Sequence, residues 1–169
     1  SLDQSSSGGF RDPILGTILL TTIGIAIAVP IGVATAVWLT EYGRPAPLAR
    51  AVESGVEIVA GTPSIVLAIF GLLIFQQTFM GLFSVFGRSF ITAGVMMSLV
   101  AIPMVIGATR EALMAIPRHV REASYALGKD KATTIRRVLL PSARSGIATG
   151  ATLGMGRIAG DTAIVVILL

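Results

Sequence analysis

Apolar residues fall in four long runs along this chain, at about 14–39, 59–86, 90–109 and 145–169. Each is long enough to cross a bilayer as a helix, which takes roughly 20 residues. The break between the second and third runs falls at 81–88, and residues 1–9 read as a flexible polar lead-in. Pro30, Pro63 and Pro103 sit in the first three runs. A proline inside a helix in water costs about 3 kcal/mol, but in a membrane neighbouring helices re-satisfy the freed carbonyl. The pattern predicts an all-α polytopic membrane bundle with some kinked spans. Gly61-Thr62-Pro63-Ser64 is either a break exposing backbone amides to an anion or a simple proline-capped helix start.

The long polar stretch at 110–144 is patterned too. Good helix formers run from Arg118 to Leu127, and Gly128 follows as a C-cap. Lys129 and Asp130 begin a second helix, with Ile135, Val138 and Leu139 on its apolar face and Pro141 at its end. Ala123 and Ser124 leave room for close approach by another surface, and the arginines offer it ion pairs. Periodicity alone leaves two readings level: a docking element, or a solvated basic loop under lipid headgroups.

Composition agrees with the membrane reading. The 169 residues are 53% hydrophobic and 13% charged, where a soluble domain carries about 25% charged residues. Mean hydropathy is +0.84. There is no cysteine, which excludes disulfides and thiolate metal sites. The net charge of +4 belongs to topology rather than to nucleic acid. If loop 110–144 is cytoplasmic, alternation puts 40–58 on the same side. That side then holds ten Lys and Arg, and the opposite side only Arg11 and Arg88. Such a bias is a positive-inside signal.

Arg157 and Asp161 are the charges placed inside a run. Ionisable groups at that depth are costly and mark functional candidates. Their i, i+4 spacing puts them on one helix face, where they can pair. The pair either serves an anion path, with guanidinium matched to phosphate, or is a structural ion pair. Gly146, Gly150, Gly154, Gly156 and Gly160 form small-residue rows suited to close helix packing. His119 has no partner at ligand spacing, and Met96, Met97, Met104 and Met114 read as packing or lipid-facing residues. No phosphate-binding G-x-x-x-x-G-K-[ST] and no nucleophile–base cluster occurs, so the chain is expected to be no enzyme and to need no cofactor.

The polar loop resembles the EAA motif of type I ABC importer permeases: Glu-Ala-Ala, three residues, Gly, nine residues, Ile, one residue, Leu-Pro. Here it reads Glu122-Ala123-Ser124, Gly128, Val138 and Leu140-Pro141 with every spacing kept. Ser124 replaces Ala and Val138 replaces Ile. The resemblance implies a type I permease fold with about four of six spans present, over residues 10–169. It implies that Glu122, Ala123, Ser124, Leu127 and Gly128 dock on a cytoplasmic ABC ATPase dimer. It also implies a second homologous permease subunit and an extracytoplasmic binding protein, in a bacterial or archaeal cytoplasmic membrane.

Gly61–Val66 (GTPSIV), Trp38–Gly43 (WLTEYG) and Gly156–Ala163 (GRIAGDTA) are similar to phosphate-specific permeases of the PstA/PstC pair, and 108–117 leans toward the PstA-like member. This likeness implies a phosphate-binding partner protein and places Arg157, Asp161 and Thr162 on the translocation path. The family usually has Gly-Glu-Thr where this chain has Gly160-Asp161-Thr162, and an arginine where this chain has Gly107, with Arg110 one turn later. The rivals are a permease for another oxyanion or an amino acid, a non-transporting scaffold or phosphate-status sensor, and a membrane enzyme.

Overall fold

A computed structural model describes residues 11–43, 45–78, 90–161 and 164–165. Their regular structure is helical: α1 (Arg11–Val37), α2 (Ala46–Gly61), α3 (Ser64–Thr78), α4 (Phe90–Met114), α5 (Arg118–Ala126), α6 (Lys131–Thr134), α7 (Leu140–Ser142) and α8 (Arg144–Ala159). A π-helical turn, Trp38–Tyr42, extends α1, and a second, Ile135–Leu139, links α6 to α7.

The central helix is α4, packed chiefly against α1 and α8, which also touch each other. Its buried face carries Ala93, Met97, Ala101 and Val105. From α1 come Leu20 and Ala28, and from α8 Ile158. The outward face of α1 presents Ile14, Leu15, Ile18 and Leu19. A helix that is apolar on its outside as well as inside belongs in lipid. Among the described residues, Pro13–Tyr42 and Ile91–Met114 are the two helices long and apolar enough to cross a membrane.

Close packing of α8 on α4 follows from its glycines. A Cβ at Gly146 would collide with Ala112, and one at Gly150 would lie 3.1 Å from the Val105 Cα. At Gly154 it would lie 3.3 Å from the Ala101 Cβ. These three glycines therefore pack, as small residues do between membrane helices. Gly156 faces open space instead.

Two expectations change. The second run is not one helix from 59: the chain bends by 104° between Ala46–Gly61 and Ser64–Gly71. Pro63 has no N–H to continue α2. The Thr62 hydroxyl donates to the Ile58 carbonyl at 2.6 Å and closes the end of α2. Pro141 likewise does not end the loop's second helix, since it lies within α7 and the break falls at Ala143. Pro141 removes one donor from a continuous helical run, and the π-helical turn just before it, Ile135–Leu139, is where the hydrogen-bond ladder adjusts.

In the fourth run, α8 ends at Ala159 and the backbone leaves the helix at Asp161. The interruption falls at Gly160, beside the two candidate charges. The 81–88 break between the second and third runs lies outside the described residues.

Candidate functional site

The polar loop forms a compact joint at one end of the bundle. Pro117 is extended at φ −60°, ψ 147° and opens α5. Gly128 follows α5 at φ +73°, a left-handed conformation that glycine adopts without steric cost. Asp130 starts α6, and the Thr133 hydroxyl beside it holds its carboxyl below the usual aspartate range. Leu113, Ile135, Leu139 and Ala143 make a second apolar core here, flanked by Val37 of α1 and Ile147 of α8.

Ser124 does not face outward. Its hydroxyl is buried and lies 2.8 Å from the Thr134 hydroxyl, tying α5 to α6. Glu122, Ala123 and Gly128 are exposed, and Leu127 is 77% exposed, far more than most residues of its kind in a folded chain. The free surface of the motif is thus Glu122, Ala123, Leu127 and Gly128, with Ser124 as its inner strut.

Arg121 is the loop residue that sequence reasoning misplaced, because the loop arginines were read as partners for another surface. Its Nη2 donates to the Glu41 carboxylate at 2.9 Å and its Nε to the same oxygen at 3.2 Å. Nη1 donates to the Ile116 carbonyl at 2.7 Å, and Nη2 also to the Leu113 carbonyl at 2.9 Å. The side chains are 18% and 8% exposed, so the pair is shielded from solvent. Lys131 adds a bond from Nζ to the Glu41 carbonyl and stands 4.3 Å over the Tyr42 ring. A signal for this joint existed in WLTEYG: a carboxylate in the last turn of a helix opposes the helix dipole and calls for a cation. Arg110 joins the same end to α2 through Glu53 at 2.7 Å. The 40–58 segment and the 110–144 loop therefore share one end of the bundle, as alternation requires.

The second candidate region is more open. Arg157 Nη1 lies 3.4 Å from Asp161 Oδ2, with the arginine side chain 40% exposed and the aspartate side chain 1%. Asp161 Oδ1 accepts the Ile164 N–H at 3.2 Å, capping the turn that follows the break. Oδ2 has no hydrogen bond, leaving only the ionic contact. Among the described residues the pair therefore binds α8 to its own continuation. Thr162 lies outside the described residues. Among the described residues no group of His, Cys, Asp and Glu could hold a metal.

Comparison with known proteins joins these observations. Residues 28–169 match the family model described as "Binding-protein-dependent transport system inner membrane component". Among relatives, the phosphate transport system permease protein PstA 1 of Mycobacterium tuberculosis is 36% identical over 99% of this chain and 53% of its own length. The phosphate transport system permease protein PstC of Mesorhizobium japonicum is 32% identical over 95% of this chain and 55% of its own length. The chain thus spans about half the length of the curated relatives it matches. An inward-facing structure of the MetNI methionine ABC transporter superposes with a TM-score of 0.71 at 27% identity, covering 90% of this chain and 68% of that one. The all-helical fold is that of an ABC importer permease. With its apolar helices, its Gly-packed core and its EAA-patterned loop, the chain belongs to the family of binding-protein-dependent transport system inner membrane components.

Proposed function

We propose that this chain is the membrane core of a permease subunit in an ATP-driven importer of inorganic phosphate. The observation that carries the reading is the α5–Gly128 surface. A short exposed helix ends in a 77% exposed leucine while its base is anchored to the bundle. Exposed apolar side chains beside a charge suit docking in a protein cleft. Glu122, Ala123, Leu127 and Gly128 would contact an ABC ATPase dimer on the cytoplasmic face, with Ser124 holding the surface in shape. A second homologous permease subunit completes the pore, and an extracytoplasmic phosphate-binding protein delivers substrate. The membrane is the bacterial or archaeal cytoplasmic membrane, and the chain supplies about four of six spans.

Phosphate is favoured by the relatives' names and by the chemistry of Arg157, whose planar guanidinium matches an oxyanion. Asp161 holds Arg157 until substrate arrives, or accepts a hydrogen bond from the O–H of monohydrogen phosphate. Thr162 would sit on the same path. ATP closure of the motor moves α5, the pore opens outward, and hydrolysis resets it.

The chain has no native cysteine, so Leu127→Cys gives a single-site probe. A bifunctional crosslinker should join it to the ATPase, and labelled phosphate uptake should require ATP and the binding protein. Uptake of methionine or another oxyanion in place of phosphate would reassign the substrate. A purified chain that crosslinks to no ATPase would favour a scaffold or sensor.

A further inference from the structure

The coupling loop is joined in sequence to α4 and α8 but not to α1. We propose that the Glu41–Arg121 ion pair is the positioning element that makes α1 move with the loop. This inference rests on the loop being the ATPase contact, and it adds the route by which motor motion reaches a helix outside the loop's own connections.

One guanidinium joins three elements. It donates twice to Glu41 beyond α1 and once each to the Leu113 and Ile116 carbonyls at the end of α4. Arg121 itself lies on α5. The Leu113 carbonyl lies in the last turn of α4, where it also accepts the Ile116 N–H, and the Ile116 carbonyl lies just past that helix, so the arginine adds a side-chain cap to the α4 C-terminus. Lys131, on α6, donates to the backbone of the same Glu41. The two loop helices thus hold a single turn of α1 from two directions.

That turn is specialised. Trp38–Tyr42 is π-helical and ends at Gly43, at φ +39°, whose N–H donates to the Trp38 carbonyl at 2.8 Å. A π-turn inserts one extra residue and so changes the face on which the following side chains stand. The other π-turn among the described residues, Ile135–Leu139, buries Ile135 and Leu139 in the second core. Both irregular turns therefore meet at the joint. Val37 packs on that core four residues before Glu41, so apolar contact and ion pair act on the same end of α1.

An exposed ion pair would slip under load, since solvent competes for both partners. Here the carboxylate is 8% exposed. Sliding α5 past α1 would leave a buried charge without its partner, which is strongly unfavourable. Loop and α1 are therefore constrained to move together.

The test uses the complete transporter in proteoliposomes, with phosphate uptake and ATP hydrolysis measured on the same preparation. Glu41→Gln keeps the side chain's shape and removes its charge. It should leave the ATPase bound and hydrolysing while phosphate moved per ATP falls about tenfold. Glu41→Asp, which keeps a carboxylate, should recover part of that ratio. A purely structural role would lower the yield of complex without changing the ratio in the complex that forms. Lys131→Met, at an exposed position, should lower the ratio about threefold and provides a reading if Glu41→Gln does not assemble.

A wild-type ratio in assembled Glu41→Gln, or in Lys131→Met where Glu41→Gln fails to assemble, overturns the coupling role alone. An unsubstituted transporter that binds no ATPase overturns the functional reading and the coupling role with it.

Discussion

Two of the arginine–carboxylate pairs among the described residues, Arg121–Glu41 and Arg157–Asp161, are built in opposite ways. Arg121 is 18% exposed and makes four hydrogen bonds, two to Glu41 and two to backbone carbonyls. Arg157 is 40% exposed and reaches Asp161 through one contact of 3.4 Å. That distance is past the usual range for a good N–H···O bond. A guanidinium carries five N–H donors. At Arg121 most are taken by the chain itself, so little remains for a ligand. Among the described residues Arg157 has one ionic contact, to a carboxylate that an oxyanion could displace. Charge type is therefore a poor guide to role within one protein; the number of committed donors separates a joint from a binding group.

The sharpest way to break this comparison is Arg121→Ala. It would strand a carboxylate that is 8% exposed, with the Leu113 and Ile116 carbonyls each losing an arginine donor. Removing one member of a buried pair typically costs about 3–5 kcal/mol. Thermal unfolding in detergent should show a loss of that size, with reduced yield of folded protein. A variant as stable as wild type would mean that water or another side chain satisfies Glu41, and the joint would no longer be closed.

A middle-sized effect is expected at the inner strut. Ser124→Ala keeps the volume near that of the native residue and removes the partner of the buried Thr134 hydroxyl. Leaving one buried hydroxyl unsatisfied costs about 1–3 kcal/mol. The exposed surface at Leu127 should lose order before the bundle does, seen as faster amide exchange in α5 and α6. Equal protection in wild type and variant would show that the two loop helices do not depend on that bond.

Arg157→Lys, which keeps a cation beside the 1% exposed Asp161 carboxylate, should destabilise least of the three and disrupt transport most. With the buried charge still paired, the change at the half-exposed partner costs about 1 kcal/mol or less. Unfolding should therefore shift little, while phosphate uptake falls by at least about tenfold, because an ammonium lacks the planar fork that matches an oxyanion. Uptake at the wild-type level would remove Arg157 from the path. A large loss of stability instead would place it with Arg121 as a structural group.

The sequence made some of this legible and hid the rest for identifiable reasons. The helices, their apolar faces and the glycine packing of Gly146, Gly150 and Gly154 follow from period and residue size, both local properties. Gly128 was legible because only a few residues accept its conformation. The α2–α3 bend was half legible: Pro63 marks a break, but its angle depends on what α2 packs against. Arg121 was read as facing outward because its partner, Glu41, is 80 residues away and periodicity carries no information across that separation. Ser124 was assigned to the docking surface because small size explains close approach equally well from inside or outside. Arg157 and Asp161 were found by depth alone, yet the helix break between them was not, since glycine is common in intact membrane helices.

The smallest effect isolates the outer edge of the joint. Asp130 begins α6 with its carboxyl held low by the Thr133 hydroxyl. A carboxyl whose folded value is lowered stabilises the fold above its ordinary range, and that contribution is lost as pH falls through the folded value. Asp130 is fully exposed, so the effect should be confined to α6 and absent from global unfolding. Amide exchange across Lys131–Thr134 should quicken at acid pH in wild type, after correction for the intrinsic pH dependence of exchange. In Asp130→Asn the same amides should exchange at a rate that no longer responds to acid, while α4 stays protected in both. If the Asn variant kept the wild-type pH response, another carboxylate at the joint would be setting it.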